Sequence, residues 1–88
     1  MALQINLDQS DVTLELLKNK RTLDFETAKY YHDLSDVLIS ALDKLLKRNK
    51  LDLKSLKSYK IQGDLGTDST SYKIAATFVE GLKFRDRS

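Results

Sequence analysis

The chain has 88 residues, with 15 Lys and Arg against 13 Asp and Glu, one His and no Cys, for a net charge of +2. That length supports a single domain, residues 1–88, and excludes two; the lack of cysteine excludes disulfide staples and thiolate-bound zinc. A composition 41% hydrophobic and 32% charged is that of a globular chain, since a disordered one carries fewer large apolar groups and a larger net charge.

The first residues, Met1 to Leu7, have neither the basic start nor the apolar run of a signal peptide, and no apolar run is long enough to cross a membrane. A cytoplasmic setting without membrane contact is therefore expected. Leu3, Ile5 and Leu7 alternate with polar residues, the period of a half-buried strand. Asp8, Gln9, Ser10 and Asp11 are turn formers, and Val12, Leu14 and Leu16 alternate again. This spacing predicts a β-hairpin over about residues 2–17. The competing assignment is a helix capped by Ser10 or Asp11 and running to Lys20. Lys18 to Arg21 form a polar connector.

Residues 24–49 are expected to form one long amphipathic helix. Asp24 suits an N-cap, and Leu23 and Ala28 suit a hydrophobic staple. At 100° per residue, Tyr30, Tyr31, Leu34, Val37, Leu38, Ile39, Ala41, Leu42, Leu45 and Leu46 fall on one side; Lys29, Asp33, Asp36, Ser40, Asp43 and Lys47 fall on the other. Acids in the first turn and bases in the last match the helix dipole. The apolar arc spans roughly 200°, about twice what a surface helix needs. It requires cover beyond one sheet face, from a short helix of the same chain or from a second subunit.

Asp52 can start a short helix over about 52–58, and the alternative is an unbroken helix to Ser58. Tyr59 to Gln62 and Ser71 to Phe84 alternate as two strands, joined by the polar segment 63–70, with Gly81 suited to a bulge. Residues 85–88 are expected to fray. The predicted fold is α+β in the order β-β-α-α-β-β: a four-stranded, mostly antiparallel sheet with both helices on one face.

Charge is unevenly spread. Residues 1–43 hold four Lys and Arg against eight Asp and Glu, a net of −4, whereas residues 44–88 hold eleven against five, a net of +6. Such a split suits an acidic partner for the second half or head-to-tail complementarity between copies. Most of the excess lies in the basic segment Lys44 to Lys60, which holds Lys44, Lys47, Arg48, Lys50, Lys54, Lys57 and Lys60 against Asp52 alone. In an unbroken helix Lys47, Lys50, Lys54 and Lys57 would align as a stripe able to meet nucleic-acid phosphates, although lysines at a helix C-terminus also serve simple dipole electrostatics.

No arrangement of catalytic residues stands out. His32 and Asp36 are one helical turn apart, which suits proton transfer or metal binding, but no third ligand follows at a recognisable spacing. The 63–70 segment lacks the Lys-Ser/Thr ending of a phosphate loop and the ligand spacing of a calcium loop. No catalytic, cofactor or metal residues are assigned. A small unstapled domain often gains stability by associating. The sequence thus favours a non-enzymatic interaction or regulatory module of bacterial or mobile-element type. It would dimerise through Tyr31, Ile39, Leu42 and Leu46, so that Leu42→Glu or Leu46→Glu separates the dimer without unfolding the chain. Nucleic-acid binding by the basic segment is the alternative.

Overall fold

The computed structural model describes residues 1–30, 33–63 and 70–86, with side chains described as far as Lys83. In chain order the elements are β1 (Ala2–Leu7), β2 (Asp11–Lys18), β3 (Arg21–Lys29), α1 (Leu34–Arg48), a single 3-10 turn (Leu53–Ser55), β4 (Ser58–Gly63) and α2 (Thr70–Asp86). The four strands form one sheet in the order β3-β2-β1-β4. Both β1–β2 and β2–β3 are antiparallel, while β4 runs parallel to β1. The class is the expected one, α+β with a four-stranded, mostly antiparallel sheet and two helices, and the element order is β-β-β-α-β-α.

The first hairpin forms as its alternation predicts, with Leu3 opposite Leu16, Ile5 opposite Leu14 and Leu7 opposite Val12. All six side chains are buried on one face. α1 packs over β3 and β2, α2 over β1 and β4, and the two helices touch each other. Their inward stripes are Leu34, Leu38, Ala41, Leu42 and Leu45 on α1 and Ala75, Val79 and Leu82 on α2. Leu56, just after the 3-10 turn, closes the core from the side. Burying one such leucine contributes roughly 1.5–3 kcal/mol, and no polar side chain among the described residues is fully buried with them.

Three segments differ from the expectation. Residues 21–29 are strand β3, not the first turns of a helix, so Asp24 lies within a strand and α1 begins at Leu34. Thr22, Phe25 and Thr27 are good strand formers, and pairing with β2 outweighs the weak capping signal at Asp24. The expected 52–58 helix is one 3-10 turn, Leu53–Ser55. Residues 70–86 are helix α2, not a strand. A strand of that length would exceed the usual 3–10 residues, and the buried positions Ala75, Val79 and Leu82 recur at i, i+4 and i+7, a helical spacing. Gly81 accordingly sits in a helix and faces open space.

Part of the wide apolar arc is therefore covered from within the chain, by α2. His32, Tyr31 and most of the 63–70 segment lie outside the described residues, as do residues 87–88 of the predicted frayed end, whereas Arg85 and Asp86 belong to α2. Gly63 ends β4 opposite Leu7 with φ of 154°, and a Cβ there would collide with the Leu7 carbonyl oxygen. Only glycine fits that close approach.

Candidate functional site

α1 divides its apolar residues between the interior and a surface. Leu42 is 5% exposed and belongs to the core, and Leu46 is partly buried against it. Ile39, three residues before Leu42, is 58% exposed. Ile39 and Ser35 form one wall of a shallow groove of about 400 Å³; Thr70, Lys73, Ile74, Thr77 and Phe78 of α2 form the other. Ile74 and Phe78 rest partly on the core and show their remaining surface to the groove. Of the expected self-association residues, Ile39 is thus exposed at the groove and Leu42 is taken up within the chain. Leu42→Glu would bury a charge in the core, so it tests folding and not association.

The basic segment does not form a stripe, because α1 stops at Arg48. Lys44 lines a groove with Glu26, Asp33 and Asp36 between β3 and α1. Lys47 bonds Asp43 at 3.0 Å, an exposed i,i+4 pair that contributes only tenths of a kcal/mol. Arg48 is engaged by β3. Its Nε donates to Asp24 Oδ2 at 2.8 Å, Nη1 to Glu26 Oε1 at 2.9 Å and Nη2 to the Phe25 carbonyl at 2.9 Å.

Asn49 Nδ2 adds a bond to the same Asp24 oxygen at 2.9 Å. These donors hold the Asp24 carboxyl at about 2, below its ordinary value, and the two carboxylates push the Arg48 guanidinium up. The clamp fastens the end of α1 to the edge strand. Lys50, Lys54 and Lys57, beyond the end of α1, are exposed as well and form no ion pair with a described residue.

Sequence reasoning passed over the β2–β3 turn as a polar connector. Lys18 pairs with Arg21 across a two-residue turn, Asn19 and Lys20, with φ of 54° and 66°. Both values have the sign of a type I′ hairpin turn, where Asn-Gly is the favoured pair. The hint was present as Asn19 between flanking alternation, but lysine in place of glycine obscured it.

On its uncovered face the sheet carries a polar row. Gln4 donates to Gln62 and Asn6, Asn6 donates to Glu15, and Thr13 and Thr27 share a bond. Phe25, opposite Glu15, stands at its edge and is 58% exposed. At the far end, the buried Tyr30 donates its hydroxyl to the Asp8 carbonyl at 2.7 Å and lies 3.2 Å from Ser71 Oγ, tying the β1–β2 turn to the start of α2. Among the described residues no group of three or more His, Cys, Asp or Glu is placed to hold a metal ion, and no helix is long and apolar enough to cross a membrane.

Two solved structures share this arrangement. YeaZ from Pseudomonas aeruginosa matches with a TM-score of 0.74 at 22% sequence identity, over 99% of this chain and 41% of its own. An uncharacterized protein with similarity to peptidase YEAZ from Pseudomonas aeruginosa matches with a TM-score of 0.74 at 22% identity, over 99% of this chain and 40% of its own. The likeness is one of fold, and the chain spans about two fifths of the length of these structures. No family model and no curated protein matches the chain.

Proposed function

We propose that this chain is a non-enzymatic protein-interaction module of the cytoplasm that pairs with a second copy of itself through the groove between α1 and α2. The observation that carries this reading is Ile39, 58% exposed beside Ile74 and Phe78 on two adjacent helices. An isolated exposed leucine or isoleucine is ordinary, but one that continues into an apolar groove marks a surface for association. A self-complementary patch on paired helices suits a two-fold dimer, in which each copy offers the same face. The domain is small and lacks staples, so partner burial would also add to its stability. Although one structural neighbour is described as similar to a peptidase, identity at this level carries fold and not activity.

Sedimentation velocity at micromolar concentration tests the proposal. The wild type should sediment as a dimer, and Ile39→Glu as a folded monomer with an unchanged circular dichroism spectrum. A wild type that is monomeric at every concentration would overturn it. A second reading, phosphate contacts to nucleic acid by the basic segment, is favoured by the exposure of Lys50, Lys54 and Lys57 at one end of the domain.

A further inference from the structure

The sheet register brings two cationic turns to the same end of the molecule. Leu17 pairs with Ala2, Ala2 pairs with Ser58, and Lys57 donates its N–H to the Met1 carbonyl at 2.7 Å. The β2–β3 turn and the start of β4 therefore leave the sheet at one pole. α1 ends there too: Arg48 bonds Asp24, which is paired with Leu16, two residues before Lys18. At about 3.3 Å per strand residue, the end of α1 lies roughly 7 Å from the level of the turn.

Lys18, Lys20, Arg21, Lys50, Lys54 and Lys57 are all exposed at this pole, and none forms an ion pair with a described residue. The nearby acids are occupied. Asp24 holds Arg48, and both Glu15 oxygens accept bonds on the open sheet face, from Asn6 and Thr22. Asp52 alone stands among the lysines of residues 49–58.

Two of these lysines occupy backbone positions that favour glycine. Lys20 has φ of 66° at the second position of the hairpin turn, where glycine is preferred. Lys50 has φ of 55° and follows the C-cap of α1. There its N–H reaches the Lys47 carbonyl at 3.2 Å, and the Leu51 N–H reaches the Leu46 carbonyl at 2.8 Å. That bond pair is the Schellman motif, whose left-handed residue is usually glycine. Neither lysine makes a side-chain hydrogen bond or ion pair with a described residue that would offset its backbone conformation. Local stability favours glycine at both sites, and the lysines add only charge.

Beside the turn is a hollow of about 560 Å³ lined by Lys18, Asn19, Arg21, Thr22 and Leu23. Its lining contains no aromatic ring on which a single-stranded base could stack. Lysine heads are hydrated point charges suited to phosphate oxygens, which fix position without reading bases.

We infer that the β2–β3 turn and the α1–β4 connection together form a cationic pole that binds the phosphate backbone of duplex nucleic acid, with Lys20 and Lys50 as leading contacts. This inference rests on the second reading above and adds to it Lys18, Lys20 and Arg21, which lie outside the basic segment. Fluorescence anisotropy of the full chain with a labelled DNA duplex of about two helical turns tests it, across salt from about 50 to 200 mM. With about six phosphates engaged, log K should fall with log salt at a slope near −5.

The Lys20→Gly/Lys50→Gly double variant should fold with equal or higher thermal stability and bind at least about tenfold more weakly at low salt, with a slope shallower by about 2. Lys83→Gln, on the outer side of α2, should leave binding unchanged. If the double variant and Lys18→Gln/Arg21→Gln both bind like wild type while Lys54→Glu/Lys57→Glu does not bind, the inference is overturned and the basic-segment reading stands. Absence of wild-type binding at the lowest salt overturns both. Stronger binding to anionic lipid vesicles or to poly-glutamate than to the duplex overturns the assignment to nucleic acid.

Discussion

The α1–α2 groove and the cationic pole are built in opposite ways. Apolar side chains from two regular helices make the groove, in backbone that any residue adopts. Turns make the pole, where side chains accept an unfavourable backbone to place charge outward. Association at the groove would draw on buried apolar area and vary little with salt. Contacts at the pole would weaken steeply as salt rises. α1 borders both regions, its middle turns carrying Ile39 and its C-cap leading into Lys50, so substitutions at these two positions can separate the two surfaces.

The largest expected effect falls on the interior side of that comparison. Leu42→Glu places a carboxylate where the side chain is 5% exposed, and should cost about 3–5 kcal/mol in urea unfolding. Gly63→Ala should cost about 2 kcal/mol by the same measurement, because the new Cβ meets the Leu7 carbonyl in a left-handed backbone. Lys20→Gly with Lys50→Gly should act in the other direction and raise stability by about 1 kcal/mol. Ile39→Glu should change monomer stability by less than about 0.5 kcal/mol while removing the dimer. Equal destabilisation by Ile39→Glu and Leu42→Glu would erase the distinction between surface and core on α1.

The smallest effect concerns the clamp that fastens α1 to β3. Asp24 titrates at about 2 because Arg48 and Asn49 favour its charged form. A carboxyl whose folded value is depressed stabilises the fold above its unfolded value, near 4, and that contribution is lost as the pH falls through about 2. Arg48→Ala should move the Asp24 midpoint up toward the ordinary carboxylate range, followed by side-chain carboxyl NMR shifts. With its folded and unfolded values then close together, Asp24 would contribute little stability above about pH 4 and little further loss in acid.

Much of the fold was legible where neighbouring residues decide it. The alternation in residues 2–17 needs only its own hairpin partner, and α1 from Leu34 onward shows an unambiguous helical stripe. Strand β3 is hidden in the sequence because its large apolar residues, Leu23 and Phe25, point away from the core, while Asp24 and Glu26 face the helix to receive Arg48. That pattern inverts the usual sign of burial. α2 resembles a strand in sequence because Tyr72, Ile74, Ala76 and Phe78 alternate at its surface and flank, and mask the buried spacing of Ala75, Val79 and Leu82.

At the candidate surfaces, Ile39 was legible as an apolar residue at the rim of the arc. The fate of Leu42 was not, since it depends on where α2 lies. The joining of Lys18, Lys20 and Arg21 to the basic segment depends on strand register between residues distant in sequence, and no local spacing encodes it.

The most direct test of the central claim is a search for intermolecular contacts in a mixed sample, half with isotope-labelled methyl groups and half without. The account predicts cross-copy nuclear Overhauser effects from the Ile39 and Ile74 methyls to the Phe78 ring, all of which disappear in Ile39→Glu. A sample at high concentration that shows only intramolecular effects at these methyls, or cross-copy effects confined to Leu23 and Phe25 at the β3 edge, would contradict it.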